Sequence, residues 1–69
     1  MKLYFENSYG EERVIAEVQD EKEAFQEIHK FCEERNFKIY YTRSWKTKSG
    51  RTKYDVGSHT EFFYLAINE

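Results

Sequence analysis

The spacing of apolar residues along the chain changes from two to about 3.6 and back, which predicts strands on both sides of one helix. Strands are predicted at residues 2–6 and 13–18, joined by a turn at residues 7–10. Apolar residues alternate in the second strand, and alternate residues of a strand point to one face. We therefore expect three of them to share a face: Val14, Ala16 and Val18.

A single helix is predicted from Asp20 to Arg35. Asp20 is a suitable N-cap residue, and Asn36 is a suitable residue to end the helix. Apolar residues between them recur at spacings of three and four, which indicates one buried face. The predicted buried residues are Ala24, Phe25, Ile28, Phe31 and Cys32.

The second half of the chain reads as three more strands. Residues 37–48 are predicted as a long strand, residues 51–56 as a strand that pairs back onto it, and residues 60–68 as the last strand. Residues 62–67 are apolar at every position, which suits a central strand covered on both faces. The predicted fold is α+β, an antiparallel sheet with one helix packed on one face, in the order ββαβββ, with residues 1–69 as a single domain.

Composition limits the class of protein. One cysteine among 69 residues excludes an intrachain disulfide and fits a reducing compartment, so a cytoplasmic location is predicted. The chain has no signal-peptide pattern and no long apolar run, so neither secretion nor a membrane association is expected. Six Phe, six Tyr and one Trp exceed what one helix on one sheet can hide, which predicts a homo-oligomer.

Residues 43–53 are the most basic part of a chain whose net charge is −2. They hold five of the eleven Lys and Arg residues, the only tryptophan and no acid. Ser49-Gly50 in their middle is a turn signal, and it predicts a hairpin with a two-residue loop. The sequence therefore predicts a basic β-hairpin on an otherwise acidic protein.

The two-residue loop determines which side chains are opposite one another. Trp45 is expected opposite Tyr54, and Lys46 opposite Lys53. One face of the hairpin then carries the basic side chains of Lys46, Lys48, Arg51 and Lys53. Like charges opposite each other are destabilising. They are retained either to bind an anion, such as nucleic-acid phosphate or an acidic protein, or to prevent edge-to-edge aggregation.

The opposite face of this hairpin is predicted to be aromatic. Trp45 beside Arg43, with Tyr40 nearby, is either a platform on which bases stack or part of the packing of the domain. Both faces together give the candidate binding residues: Arg43, Trp45, Lys46, Lys48, Arg51, Lys53 and Tyr40.

Two clusters contain residue types that are used in catalysis. His29, Cys32 and Glu33 lie within about one helical turn, but Cys32 falls on the apolar stripe and is expected to be buried. Four more flank a glycine in a predicted loop: Asp55, Ser58, His59 and Glu61. A surface turn before the last strand explains them. We expect no catalytic residues, no metal site and no cofactor.

Three stretches of the chain resemble small uncharacterised proteins from phages and prophages of Gram-positive bacteria. They are Lys2-Leu-Tyr-Phe-Glu-Asn-Ser-Tyr-Gly10, Tyr40-Tyr-Thr-Arg-Ser-Trp45 and Asp55-Val-Gly-Ser-His-Thr-Glu-Phe-Phe63. The resemblance covers most of the chain and includes no motif of known role. It implies a short, early-expressed, non-catalytic gene product that acts by binding a host protein.

The resulting prediction is a non-enzymatic, phage-borne binding protein that modulates or inhibits a host protein, such as a defence or replication factor, by direct contact. The alternative is a small nucleic-acid-binding protein that uses the basic hairpin at residues 43–53.

Overall fold

Within residues 1–67, five antiparallel strands form one sheet, and a single helix packs against one of its faces. The structure is a computed structural model that describes residues 1–67. The elements are β1 (Lys2–Glu6), β2 (Glu12–Glu17), α1 (Glu21–Glu34), β3 (Arg43–Lys46), β4 (Thr52–Asp55) and β5 (Phe62–Ala66). The spatial order of the strands is β2-β1-β5-β4-β3. The predicted α+β fold and the order ββαβββ are confirmed.

Both ends of the helix are where the sequence predicts them. The Asp20 side chain accepts a hydrogen bond of 2.8 Å from the Glu23 N–H, which satisfies one of the free donors of the first turn. Asn36 follows the helix with a φ of 57°, the left-handed conformation that ends many helices. No helix among residues 1–67 is long and apolar enough to cross a membrane.

The core lies between this helix and the inward-facing residues of the sheet. Ala24, Ile28 and Cys32 are buried on the helix, as predicted, whereas Phe31 is only partly buried and the prediction that Phe25 is buried is wrong, since it is exposed. The three buried residues pack in one cluster with residues of the two central strands, among them Leu3, Phe5, Phe63 and Leu65. Full burial of a side chain such as Ile28 stabilises the fold by about 1.5–3 kcal/mol. The helix thus covers one face of the sheet and leaves the other uncovered.

The strand β5 occupies the centre of the sheet, as its continuous apolar run predicts. It pairs with β1 on one side and with β4 on the other. The predicted end of this strand at Asn68 lies outside the described residues. Phe63 and Leu65 are buried against the helix, and Phe62 and Tyr64 alternate with them on the uncovered face.

The prediction that the apolar residues of β2 share one face is wrong. Leu3 pairs with Ala16, but Tyr4 pairs with Val14, so the register shifts at this point. The extra residue is a β-bulge, and it rotates the alternation of the strand by one residue. Val14 therefore lies beside Tyr4 on the uncovered face, whereas Ala16 lies beside the buried Leu3 on the helix side.

The predicted long strand at residues 37–48 is also wrong, because only its end, β3, is a strand. Residues 37–42 instead connect the helix to the far edge of the sheet. The Phe37 N–H donates to the Cys32 carbonyl at 2.8 Å, and the Tyr40 N–H donates to the Val56 carbonyl at 3.1 Å. These bonds tie the segment to the helix end and to the loop after β4.

The hairpin between β3 and β4 has a three-residue loop, so the predicted register is wrong by one residue. The Gly50 N–H donates to the Thr47 carbonyl at 3.0 Å, and the Thr47 N–H donates to the Arg51 carbonyl at 2.8 Å. Gly50 has a φ of 86°, which such a loop requires at its last position. Trp45 therefore pairs with Lys53, and Lys46 with Thr52.

Gly57 is held where any larger residue would collide with its neighbour. Its φ is 97°, and a Cβ placed on it would lie 2.8 Å from the Tyr40 Cβ. Gly50 has a similar φ of 86° but has open space around it. A comparison of substitutions at the two glycines therefore distinguishes the cost of backbone strain from the cost of steric collision.

We predict that Gly57→Ala destabilises the protein more than Gly50→Ala. Both substitutions place a side chain in the left-handed region, at about 1–2 kcal/mol. Only Gly57→Ala must also displace Tyr40, which adds about 1–3 kcal/mol. Urea unfolding of the two variants measures the difference. Equal losses would contradict the close packing of residues 37–42 on the loop after β4.

Candidate functional site

The sheet face opposite the helix carries a layer of aromatic and cationic side chains. One row of paired residues crosses the whole sheet: Val14, Tyr4, Tyr64, Lys53 and Trp45. Phe62, Arg43 and Arg51 lie beside this row. We call this surface the open face.

Arg51 lies across the tyrosines of the open face. Its guanidinium carbon is 4.2 Å from the centre of the Tyr64 ring and 5.1 Å from that of the Tyr4 ring. Its Nη2 pairs with Glu12 Oε1 at 3.0 Å. A cation over an aromatic ring is attracted by the negative face of the ring, at about 0.5–1 kcal/mol where it is exposed. Arg51, which directly precedes β4, thus covers two rings and links this end of the hairpin to β2 across the sheet.

Lys53 covers the next part of the open face. Its ammonium nitrogen is 4.0 Å from the centre of the Phe62 ring, 5.4 Å from that of Tyr64 and 6.0 Å from that of Trp45. The aliphatic part of a lysine side chain can cover apolar surface while its charge stays in water. Phe62 and Tyr64 are accordingly half-buried.

Trp45, Tyr41 and Arg43 form the most exposed aromatic part of this surface. Trp45 is 43% exposed and Tyr41 is 47% exposed. The Arg43 guanidinium carbon is 5.1 Å from the centre of the Tyr41 ring and 6.0 Å from that of Trp45, which places the cation beside both rings. We call these three residues the edge patch, because β3 is an edge strand of the sheet.

Asp55 fixes Arg43 in this position. Its carboxylate is 2.9 Å from Arg43 Nη2 and accepts a second hydrogen bond of 2.9 Å from the Gly57 N–H. Both contacts stabilise the charged form, and that of Arg43 has the larger effect, so the pKa of Asp55 lies below its ordinary value. The same hydrogen bond raises the pKa of Arg43.

The structure brings only some of the predicted binding residues together. Arg43, Trp45, Arg51 and Lys53 share the open face. Lys46 pairs with Thr52 on the opposite face, and Lys48 lies in the loop, so the predicted four-residue basic face does not form. Arg51 and Lys53, which the predicted register places on the face opposite to Trp45, lie on the same face as Trp45.

Tyr40, the seventh predicted residue, borders a separate cleft of about 610 Å³ on the helix side of the sheet. Buried Phe5 and Phe63 lie at its base, and exposed Phe37, Tyr40 and Tyr41 line its sides. Its polar residues are Asn36, Lys38, Ser58, His59 and Glu61. We call this space the aromatic cleft. Tyr41 lines the cleft and also belongs to the edge patch, so the two surfaces adjoin.

In the two clusters with catalytic residue types, several side chains are engaged in hydrogen bonds or buried. The Ser58 hydroxyl donates to Glu61 Oε1 at 2.8 Å, and Asp55 is engaged by Arg43. Cys32 is buried, as predicted, and burial followed by the charge of Glu61 raises the pKa of its thiol. No group of three or more His, Cys, Asp and Glu side chains among residues 1–67 is arranged to hold a metal ion.

Sequence reasoning missed Tyr4, Phe62 and Tyr64 as part of the open face, and Tyr41 as the residue joining it to the cleft. A signal for the first three exists, since they alternate with the buried residues of their strands. No comparable pattern marks the position of Tyr41 in the cleft, because residues 37–42 form no regular element.

Comparison with known protein families, with curated proteins and with solved structures finds no match for this chain. The geometry of the open face and of the aromatic cleft therefore carries the functional argument by itself.

The Asp55 carboxylate should make stability depend on pH on the acid side. Its pKa in the folded protein is below the ordinary value of 3.8, so its contribution is complete above that value and is lost as the pH falls through the lower, folded pKa. We predict that Asp55→Asn is less stable than the native protein at about pH 7, and that the difference shrinks at about pH 2.5. Urea unfolding at both pH values measures this.

The exposed Glu34→Gln serves as the control and should show little difference at either pH. A loss in Asp55→Asn that is the same at both pH values would contradict the role of the charge.

Proposed function

We propose that the protein is a non-enzymatic binding protein that modulates or inhibits a host protein by direct contact, with the edge patch at the centre of the interface. The single observation that carries this proposal is the exposure of one tryptophan, one tyrosine and one arginine side by side. Trp, Tyr and Arg are the residues most enriched where binding energy is concentrated in protein interfaces.

The arrangement of the edge patch favours tight contact. Asp55, which accepts a hydrogen bond from the Gly57 N–H, holds the Arg43 side chain in place before binding, so less conformational entropy is lost when a partner binds. Tyr and Trp provide large rigid surfaces, and Lys53 beside Trp45 supplies a polar group at the rim. A partner with an aromatic or apolar anchor and acidic residues around it would fit this surface.

The proposed class of host protein rests on the resemblance to phage proteins and not on the geometry of the edge patch. On that resemblance the gene is phage-borne and the target is a defence or replication factor. The proposed cytoplasmic location rests instead on the single cysteine, which fits a reducing compartment. The edge patch requires none of these particulars, so it can be tested without them.

One observation favours a second candidate, binding to single-stranded nucleic acid. The register places Trp45 directly opposite Lys53 on one face, beside Arg43 and Phe62. Aromatic rings on which bases stack, next to cations that contact phosphates, are the usual means of binding single strands. Two of the cations on the open face are already paired, Arg43 with Asp55 and Arg51 with Glu12, which lowers the net positive charge available.

We predict that Trp45→Ala weakens binding of the partner by about tenfold or more, because truncation of an interface tryptophan commonly costs 1–2 kcal/mol or more, about 1.4 kcal/mol being tenfold. The measurement is affinity capture from bacterial lysate with and without nuclease, then titration of the captured partner. The double variant Lys46→Glu/Lys48→Glu is the control and should bind as the native protein does.

Salt and nuclease separate the two candidates. A protein partner should survive nuclease and lose little affinity with salt, because the burial of apolar surface is little screened. Nucleic acid bound through several phosphates should be lost with nuclease, and each phosphate should add about 0.7–0.9 to the log–log salt slope. Unchanged binding by Trp45→Ala would contradict the edge patch as the contact.

Self-association through the open face or an edge strand is a further prediction. Trp45 at 43% and Val14 at 48% exposure leave apolar surface on both outer parts of the sheet. We expect light scattering at high micromolar concentration to give twice the monomer mass. The monomer mass under those conditions would rule the dimer out.

A further inference from the structure

The aromatic cleft contains a carboxylate, that of Glu61, which forms no ion pair among the described residues. Glu61 is half-buried, and the Ser58 hydroxyl donates to its Oε1 at 2.8 Å. Within residues 1–67, ion pairs form at Glu17, Asp55 and Glu12, and none forms at Glu61. A carboxylate attracts a cation, and the attraction is stronger in a partly buried site than in bulk water, so this carboxylate favours a cation that enters the cleft.

The aromatic rings that line the cleft also favour a bound cation. Phe37 is 37% exposed and Tyr40 is 67% exposed, so both have free surface on the cleft. The Lys38 ammonium already lies 5.0 Å from the centre of the Tyr40 ring, which places a cation of the chain itself at the cleft. Rings beside a carboxylate are a recurring means of binding organic cations.

The volume of the cleft sets the size of the group. At about 610 Å³ it is within the range of sites that hold small molecules or one large side chain. A guanidinium is planar, stacks on aromatic rings, and pairs with a carboxylate through two parallel N–H groups. Ser58 occupies only part of the acceptor capacity of Glu61, since a carboxylate has about four acceptor positions.

We infer that the aromatic cleft receives an arginine side chain of the partner protein, with its guanidinium paired to Glu61 and stacked on Tyr40. This inference rests on the proposed function, because it takes the partner to be a protein. Tyr41 connects the cleft to the edge patch, so one partner surface can reach both. The two contacts have opposite preferences: acidic groups at the edge patch and one basic group in the cleft.

The test uses a short peptide, acetyl-glycyl-arginyl-glycinamide, titrated into the isotope-labelled protein and followed by two-dimensional NMR. The control peptide carries citrulline, which has nearly the shape of arginine and no charge. We expect saturable shifts at residues 36–41 and 57–61 with a dissociation constant of about 1 mM, appropriate to one anchoring side chain. The citrulline peptide should bind at least about tenfold more weakly.

Two variants separate this role from a structural one. Glu61→Gln keeps the shape of the side chain and should abolish the difference between the two peptides. Glu33→Gln removes an exposed charge from the helix and should change nothing. Tyr40→Leu should weaken the arginine peptide several-fold. It replaces Glu61→Gln as the deciding variant if the spectrum of the latter shows unfolding.

Equal binding of the two peptides, no saturable shift at the cleft, or full binding by folded Glu61→Gln would each overturn the inference. The titration contains no host protein. If the arginine peptide fails to bind but Trp45→Ala still loses the captured partner, the cleft is rejected and the edge patch is not. If the peptide binds as expected but Trp45→Ala captures the partner as the native protein does, only the edge patch is rejected.

Discussion

One helix can cover only one face of a sheet, and this constraint shapes the rest of the molecule. The chain places Ala24, Ile28 and Cys32 against the inward-facing residues and has no second helix within residues 1–67 for the other face. The open face is instead covered by its own long side chains. Arg51 and Lys53 lie over Tyr64 and its neighbours, which hides apolar surface while the charges remain hydrated.

This self-covering is incomplete, and where it ends is informative. Arg51 reaches from the residue before β4 to Glu12 on β2 and thereby spans the middle of the sheet. At β3 the cover stops, so Trp45 and Tyr41 remain exposed with Arg43 held beside them by Asp55. The same contacts that stabilise the sheet thus leave a fixed aromatic and cationic surface at its edge. The proposal that this edge contacts a partner follows from that residue composition.

The sequence predicts the element order because the spacing of apolar residues changes clearly between strands and helix. It predicts the helix ends because Asp20 is a residue type that caps the first turn and Asn36 is one that takes the left-handed conformation after the last turn. It fails where one residue decides the register. A two-residue loop would require a positive φ at its first position, Ser49, and serine does not readily take a positive φ. In the three-residue loop of the structure, Gly50 is the loop residue with a positive φ. The unsuitability of Ser49 is a signal present in the sequence. A bulge in β2 and the irregular path of residues 37–42 leave no such signal, since tertiary contacts determine both.

A one-residue slip in a hairpin moves every side chain to the other face, so the register of β3 and β4 is the central claim. It decides whether Trp45 lies with the cations of the open face or with buried Tyr54. Nuclear Overhauser contacts between the two strands measure it directly. The register of the structure predicts cross-strand contacts from Trp45 to Lys53 and from Ser44 to Tyr54. Contacts from Trp45 to Tyr54 and from Lys46 to Lys53 would contradict this register, and Trp45 would then not lie on the open face.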